Sequence, residues 1–207
     1  MVQTSSLPRL YAIADRSMFP DDRLFFQFVE ELVGAGVTLL QYRNKSGNVE
    51  QMLEEAREIK RLAGNTIRLI MNDRADLCVA AKFAGVHVGQ DDLSPDGARR
   101  VIGREKWMGI STHNPEQLKA ADKTSADYLA IGPVFATSSK TNPDPVVGLE
   151  GVRAARGLTQ KTLVAIGGIT RENCRSVIEA GANSVAVISD LLRDPGKTAR
   201  DFLAILG

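Results

Sequence analysis

The feature that most constrains this chain is a strict alternation. A short apolar run is followed by a longer segment of helical period, eight times over in 207 residues. The strand-like runs fall at 10–14, 37–42, 68–71, 86–88, 106–110, 127–131, 163–166 and 184–188. The segments with apolar residues at i, i+3 and i+4 fall at 23–32, 49–62, 75–83, 95–101, 115–121, 149–155, 171–179 and 197–206,. Punctuation agrees with that reading. Ser94 before Pro95, and Asn114 before Pro115, are N-cap signals with proline at the first helical position,. Gly85 and Gly181 are expected helix stops,. Strands alternating with helices predict a parallel sheet. Eight units of about 26 residues predict a closed (β/α)8 barrel, an α/β fold of the TIM-barrel class near its lower size limit,. The competing open, doubly wound sheet lacks its GxGxxG after the first strand,. No shift in composition marks a boundary, so one barrel domain over 1–207 is expected.

Composition removes several function classes. There are 26 Lys and Arg against 25 Asp and Glu, a net charge of +1, so no global basic field attracts nucleic acid or an anionic membrane,. Cys78 and Cys174 form no CxxC pair and are expected as small buried apolar residues on helices rather than as a disulfide or zinc site,. The opening MVQTSSLPRL has no apolar run of a signal peptide, and no stretch approaches 18 apolar residues,. A cytoplasmic location is expected. Trp107 and the Phe25–Phe26 pair are expected in the core.

In a parallel barrel the ligand site lies at the carboxyl ends of the strands, so the residues just after each apolar run are the candidates. Gln41, Arg43 and Lys45 are spaced by two and share one face of an extended segment, an arrangement suited to a di- or tri-anionic group,. A solvated loop explains the same charges. Asn72 and Asp73 follow the third run, and Asp91 and Asp92 follow the fourth. Two carboxylates from neighbouring strands, facing cations, suit Mg2+ shared with a substrate phosphate, with Asp92 preferred to Asp91. Helix capping by Asp73 is the competing reading. Ser111 and His113 follow the fifth run; His113 is an acid–base candidate, and His87, inside a strand, reads as a core or rim residue. The longest irregular stretch, 132–147, carries Thr137, Ser138, Ser139 and Lys140, hydroxyls and a cation suited to phosphate oxygens,. Gly167 and Gly168, before a helix expected to begin near Thr170, could admit a phosphate to backbone N–H groups, with Ile188 and Ser189 completing the cradle,. A simple turn would use the same glycines.

The chain resembles the thiamine-phosphate synthase family from end to end. The resemblance is carried by LYAIAD at 10–15, LLQYRNK at 39–45, LIMNDRADL at 69–77 and GVHVGQDDL at 85–93. It continues through GISTH at 109–113, DYLAIGPVFATSSK at 127–140, AIGGI at 165–169 and GANSVAVIS at 181–189. It implies the joining of a hydroxymethylpyrimidine diphosphate to a hydroxyethylthiazole phosphate, with loss of pyrophosphate. Carried over residue by residue, Gln41, Arg43, Lys45 and Asn72 contact the pyrimidine diphosphate, Ser111 and Lys140 also reach it, and Asp73 and Asp92 hold Mg2+. Thr137, Ser139, Gly168, Ile188 and Ser189 form the thiazole phosphate site, and Arg43, Lys45, Ser111 and Lys140 take the catalytic role. This chain departs from the family pattern with Ala136 in place of proline and Ser139 in place of threonine; serine keeps the hydroxyl. No Ser–His–Asp or Cys–His nucleophile set is apparent, which suits a reaction that needs no enzyme nucleophile,. The expected partners are small-molecule substrates and a homo-oligomeric copy, with no nucleic acid and no membrane. Two other readings fit part of the pattern: a thiazole tautomerase using His113 without metal, and a non-catalytic binder of phosphorylated thiamine precursors.

Overall fold

A computed structural model describes residues 7–137 and 144–207. Among the described residues eight strands close into a barrel in sequence order. They are β1 (Leu10–Asp15), β2 (Leu39–Arg43), β3 (Arg68–Asn72), β4 (Gly85–Val88), β5 (Trp107–Thr112), β6 (Tyr128–Ile131), β7 (Thr162–Ile166) and β8 (Ser184–Val187). Every neighbouring pair is parallel, and β8 returns to β1 with Tyr11 opposite Ala186. The helices are α1 (Asp22–Gly34), α2 (Val49–Ala63), α3 (Ala75–Ala80), α4 (Pro95–Ile102), α5 (Pro115–Asp122), α6 (Gly148–Leu158), α7 (Cys174–Glu179) and α8 (Pro195–Leu206). The expected (β/α)8 barrel is therefore the fold, and the open sheet is not.

Strand side chains alternate between two apolar layers. Leu10, Ala12 and Ala14 of β1 face outward into the layer shared with the helices, whereas Tyr11 and Ile13 face the barrel interior with Leu39, Ile70, Tyr128, Val164 and Ala186. The outer layer is larger because each helix brings an apolar stripe to it, such as Phe25, Phe28, Val29 and Leu32 on α1,. Phe25 is fully buried there, whereas Phe26 and Trp107 are only partly buried at the edges of the two layers. Cys78 and Cys174 are buried and on helices, as expected. The interior is filled by large rings, and glycines on adjacent strands make room for them. A Cβ on Gly109 would overlap the Tyr128 ring, and one on Gly85 would lie 2.7 Å from Trp107 Cβ,.

Local signals held where side chains cap the backbone. The Ser94 hydroxyl accepts from Gly97 N at 3.2 Å, and Asn114 Oδ1 accepts from Gln117 N at 2.9 Å, each before a first-turn proline,. Two helices are shorter than their apolar period predicts. The segment expected over 75–83 stops at Ala80, and Gly85 opens β4 instead of ending a helix. Lys82 takes a left-handed φ of 55° and Phe83 N bonds back to Cys78 O at 2.9 Å, so Phe83 returns to the core and mimics another helical turn,. The segment expected over 171–179 begins at Cys174, because Asn173 Oδ1 takes Thr170 N at 2.8 Å and holds a turn first.

The packing around Tyr128 generates a paired prediction. Gly109→Ala should destabilise the fold by about 1–3 kcal/mol through overpacking, read as an earlier midpoint in urea unfolding. Gly157→Ala is the control: it is a helical glycine with open space around its Cβ, and it should hold or raise stability,.

Candidate active site

The site is built from β2 outward. Its inward residues are Leu39 in the apolar interior, then Gln41, then Arg43 near the rim, so the period-two reading describes one face at three heights,. Gln41 is buried and its Nε2 donates to Tyr11 Oη at 2.9 Å, one layer below the rim. Arg43 pairs closely with the buried Asp15 carboxylate, which also accepts from Ser17 N at 3.1 Å and Ser17 Oγ at 2.7 Å. Lys45 reaches across to β3, with Nζ 3.1 Å from Asp73 Oδ2.

The loop that carries Lys45 is pinned from beneath by a residue the sequence reading missed. Glu55 lies on the buried stripe of α2 among Met52, Ala56 and Ile59. Its carboxylate accepts from Asn44 Nδ2 at 3.0 Å, Gln51 Nε2 at 2.9 Å, Arg16 Nε at 3.1 Å and the Tyr42 hydroxyl. Asn44 Oδ1 in turn takes Ser46 N at 3.0 Å and Gly47 N at 2.8 Å, which folds the loop back,. A carboxylate on an apolar stripe was the available signal. Such a residue needs several partners, and along its own helix only Gln51, four residues before it, is within reach; Arg16, Tyr42 and Asn44 come from elsewhere in the chain,.

Opposite the cations stands a carboxylate pair. Asp73 follows β3 with φ at 61°, a conformation uncommon for residues other than glycine, and its N–H donates to His87 O at 2.8 Å,. It does not cap α3, whose N-cap residue is Arg74. Its carboxyl lies within hydrogen-bonding reach of Asp92, whose Oδ2 also accepts from Gly89 N at 2.7 Å. Burial, and then the neighbouring Asp92, push the Asp73 carboxyl up to about 6 against the pull of Lys45,. A hard divalent cation would relieve that repulsion, so this pair is suited to hold one together with oxygens of an anionic ligand. Beside it, Asn72 Nδ2 is buried at the cavity wall with no hydrogen-bond partner among the described residues. It is a donor waiting for an acceptor.

The other wall is a glycine cradle. Gly167 and Gly168 follow β7 with φ of 101° and 62°. A Cβ on Gly167 would stand 2.5 Å from Pro133 Cβ, and one on Gly168 would stand 2.8 Å from Phe135 Cβ. Only glycine allows so close an approach of the two loops. The stretch after β6 is tied to this cradle by Val134 N to Ile166 O at 2.9 Å and Phe135 N to Gly167 O at 3.0 Å. Its return is tied by Val147 N to Pro133 O at 2.9 Å. Ser189 opens a 3-10 turn after β8 and faces the same cavity.

These walls enclose a cavity of about 450 Å³ at the carboxyl ends of the strands. Of the residues expected at the site, Arg43, Lys45, Asn72, Asp73, Asp92, Ser111, Thr137, Gly168, Ile188 and Ser189 line it. Gln41 lies beneath it, and Ser139 and Lys140 lie outside the described residues. His87 and His113 also line it. His113 Nδ1 is 2.7 Å from Gly132 O, which fixes the ring against the β6 loop. His87 is buried between the Tyr128 hydroxyl, 3.1 Å from Nδ1, and Ser111 Oγ, 2.8 Å from Nε2. Burial pushes the His87 imidazole down to about 4, so it is neutral near pH 7,.

A parallel barrel with paired carboxylates, a cationic edge and a glycine cradle at its carboxyl end belongs to the class of phosphate-ligand barrels. Comparison with known proteins narrows the class. The family profile described as thiamine monophosphate synthase matches residues 10–191. The chain is 63% identical over 209 residues to the thiamine-phosphate synthase of Koribacter versatilis, covering 100% of this chain and 99% of that protein. It is 39% identical over 201 residues to that of Shouchella clausii, covering 96% of each. The thiamine phosphate pyrophosphorylase structure from Pyrococcus furiosus superposes with a TM-score of 0.85 at 31% identity, over 96% of this chain and 95% of that one. The chain belongs to the thiamine monophosphate synthase family.

The pinning of the Lys45 loop can be measured. Glu55→Ala strands the Tyr42 hydroxyl and Asn44 amide and should cost about 3 kcal/mol of unfolding free energy in urea titration. Glu55→Gln keeps the shape and two acceptor positions and should recover part of that loss.

Proposed function

We propose that this chain joins a hydroxymethylpyrimidine diphosphate to a hydroxyethylthiazole phosphate, giving thiamine phosphate and pyrophosphate, as a transferase of the thiamine-phosphate synthase type. Family membership supports the reaction class. The observation that carries the reading is the opposition across one rim of Lys45 and the Asp73–Asp92 pair, with Arg43 alongside. That rim takes a polyanion; the separate glycine cradle takes a second phosphate. One cavity thus has places for both substrates.

In this reading Arg43, Lys45, Ser111 and Lys140 hold the diphosphate and stabilise the charge that develops on its oxygens as it leaves. The unpaired Asn72 amide donates to the same group. Mg2+ held by Asp73 and Asp92 would supply further neutralisation of the departing pyrophosphate. The carbon–oxygen bond breaks with its electron pair leaving on pyrophosphate, and the electron-rich aminopyrimidine carries the positive charge that remains. The thiazole nitrogen then supplies the pair for the new carbon–nitrogen bond. Gly168, Thr137, Ser139, Ile188 and Ser189 hold the thiazole phosphate so that this nitrogen faces the carbon. Gln41 sits beneath the pyrimidine and acts on it from the barrel interior. No side chain need act as a nucleophile; the cavity holds the partners together and limits access of water to the cation.

We further read the protein as a cytoplasmic enzyme of small molecules, built as one barrel domain and able to self-associate. Among the described residues no helix is long and apolar enough to cross a membrane.

Purified protein should release pyrophosphate only when both substrates and Mg2+ are present. EDTA should abolish release and added Mg2+ should restore it. Absence of release under the full mixture would sink the proposal. Asp73→Asn should lower turnover by about a hundredfold or more while changing affinity for the thiazole phosphate by less than about threefold, because the two phosphates occupy different walls. Equal losses in both would place the substrates differently.

A further inference from the structure

The barrel interior carries a continuous line of hydrogen bonds that links Gln41 to Ser111 through Tyr11, Tyr128 and His87, three residues to which the proposed reaction gives no role. It runs from Gln41 Nε2 to Tyr11 Oη at 2.9 Å and from Tyr11 Oη to Tyr128 Oη at 2.9 Å. It continues from Tyr128 Oη to His87 Nδ1 at 3.1 Å and from His87 Nε2 to Ser111 Oγ at 2.8 Å. Gln41, Tyr11, Tyr128 and His87 are all buried; His87 and Ser111 line the cavity, and of the five only Ser111 is partly exposed.

The direction of this line is set at its buried end. The Gln41 amide nitrogen can only donate, so the Tyr11 oxygen accepts there. Tyr11 has one proton, and its remaining partner is Tyr128, so that proton goes to Tyr128. Tyr128 likewise accepts from Tyr11 and spends its one proton on His87 Nδ1. The opposite arrangement would strand a buried phenolic proton, which is costly in a dry interior. His87 must then carry its proton on Nε2 and donate to Ser111 Oγ. With that lone pair occupied, the serine proton is left to point into the cavity.

We propose that Gln41, Tyr11, Tyr128 and His87 are positioning residues that hold the Ser111 hydroxyl as a hydrogen-bond donor toward the anionic ligand. Reversed, the line would turn the serine's proton toward the histidine and present only oxygen lone pairs to the cavity. Those would repel a diphosphate. The inference rests on the diphosphate reading of this rim, but the direction of the line does not. Gly109 supports it sterically, since only a glycine there lets the Tyr128 ring lie against β5 where its hydroxyl meets both Tyr11 and His87.

The test begins with the unmodified full-length protein labelled with 15N at histidine. The sequence has two histidines, so a His113→Asn sample assigns the remaining signal to His87. Long-range proton–nitrogen correlation spectra should report a neutral ring with the proton on Nε2 and a bare, accepting Nδ1. A ring protonated on Nδ1 overturns the proposal whatever the ligand does. The second arm measures calorimetric binding of inorganic pyrophosphate in the presence of Mg2+. Ser111→Ala and Tyr128→Phe should each weaken it by about tenfold, one charge-assisted hydrogen bond, and the double variant by no more than either alone. Tyr128→Phe should also shift His87 from one tautomer to a mixture. Additive losses in the double variant overturn the link between Tyr128 and Ser111. If His87 carries its proton on Nε2 but Ser111→Ala leaves pyrophosphate binding unchanged, the diphosphate assignment of the rim falls, and with it the role given to Ser111.

Discussion

Closure of the eight-stranded ring governs everything else in this molecule. Once β8 pairs with β1, no strand can shift register without moving its neighbours, so the height of each inward side chain along the barrel axis is set by all of them together,. The lower interior is apolar and filled by rings, with Leu39, Ile70 and Val164 around Tyr11 and Tyr128. The upper interior runs out of apolar residues at the same level on adjacent strands. Arg43, Asn72, Gly89 and Ser111 therefore meet at one rim.

Charges of both signs are crowded at that rim. Arg43 is partly neutralised by the buried Asp15, and Lys45 by Asp73. The Asp73–Asp92 pair is held close enough for repulsion to oppose full ionisation,. Asp73 is also kept in a left-handed backbone conformation. Such a site stores unfavourable terms that a divalent ion and a polyanion would relieve, in keeping with the proposed reaction. The glycine cradle uses a different device. Close backbone approach there leaves room without any charged side chain, so in the proposed reading the second phosphate would be met by hydrogen bonding rather than by net charge,.

Beneath the rim the same barrel carries two polar systems that are nearly dry. The Glu55 cluster joins α2 to the loop bearing Lys45, and the tyrosine–histidine line joins the barrel interior to Ser111. Both connect a residue at the cavity surface to buried partners beneath it. Their energetic role follows from satisfaction. Every buried donor atom in them has an acceptor, so each fixes a geometry that an exposed side chain would not hold,.

Local sequence determined the repeating β–α unit, which residues of a strand share a face, as with Gln41 and Arg43, and the strand ends that could reach a ligand. These depend on periods of 2 and 3.6 residues and on caps such as Ser94 and Asn114, all written within a few positions of one another. The family motifs added the reaction class and the candidate residues. Tertiary structure alone decided at what height each inward residue sits and which partner it finds. Gln41 and Arg43 look equivalent by spacing, yet register places Gln41 against Tyr11 in the interior and Arg43 against Asp15 near the rim. Helix α3 ends before its apolar period does, because Phe83 folds back onto Cys78 O. Glu55, Asp15 and the His87–Tyr128–Tyr11 line were not legible, since the partners that tie them to other elements lie far along the chain: Asn44 is 11 residues from Glu55, Arg43 is 28 from Asp15 and Tyr128 is 117 from Tyr11. A periodic pattern encodes the direction in which a side chain points, but closing the ring decides what it meets.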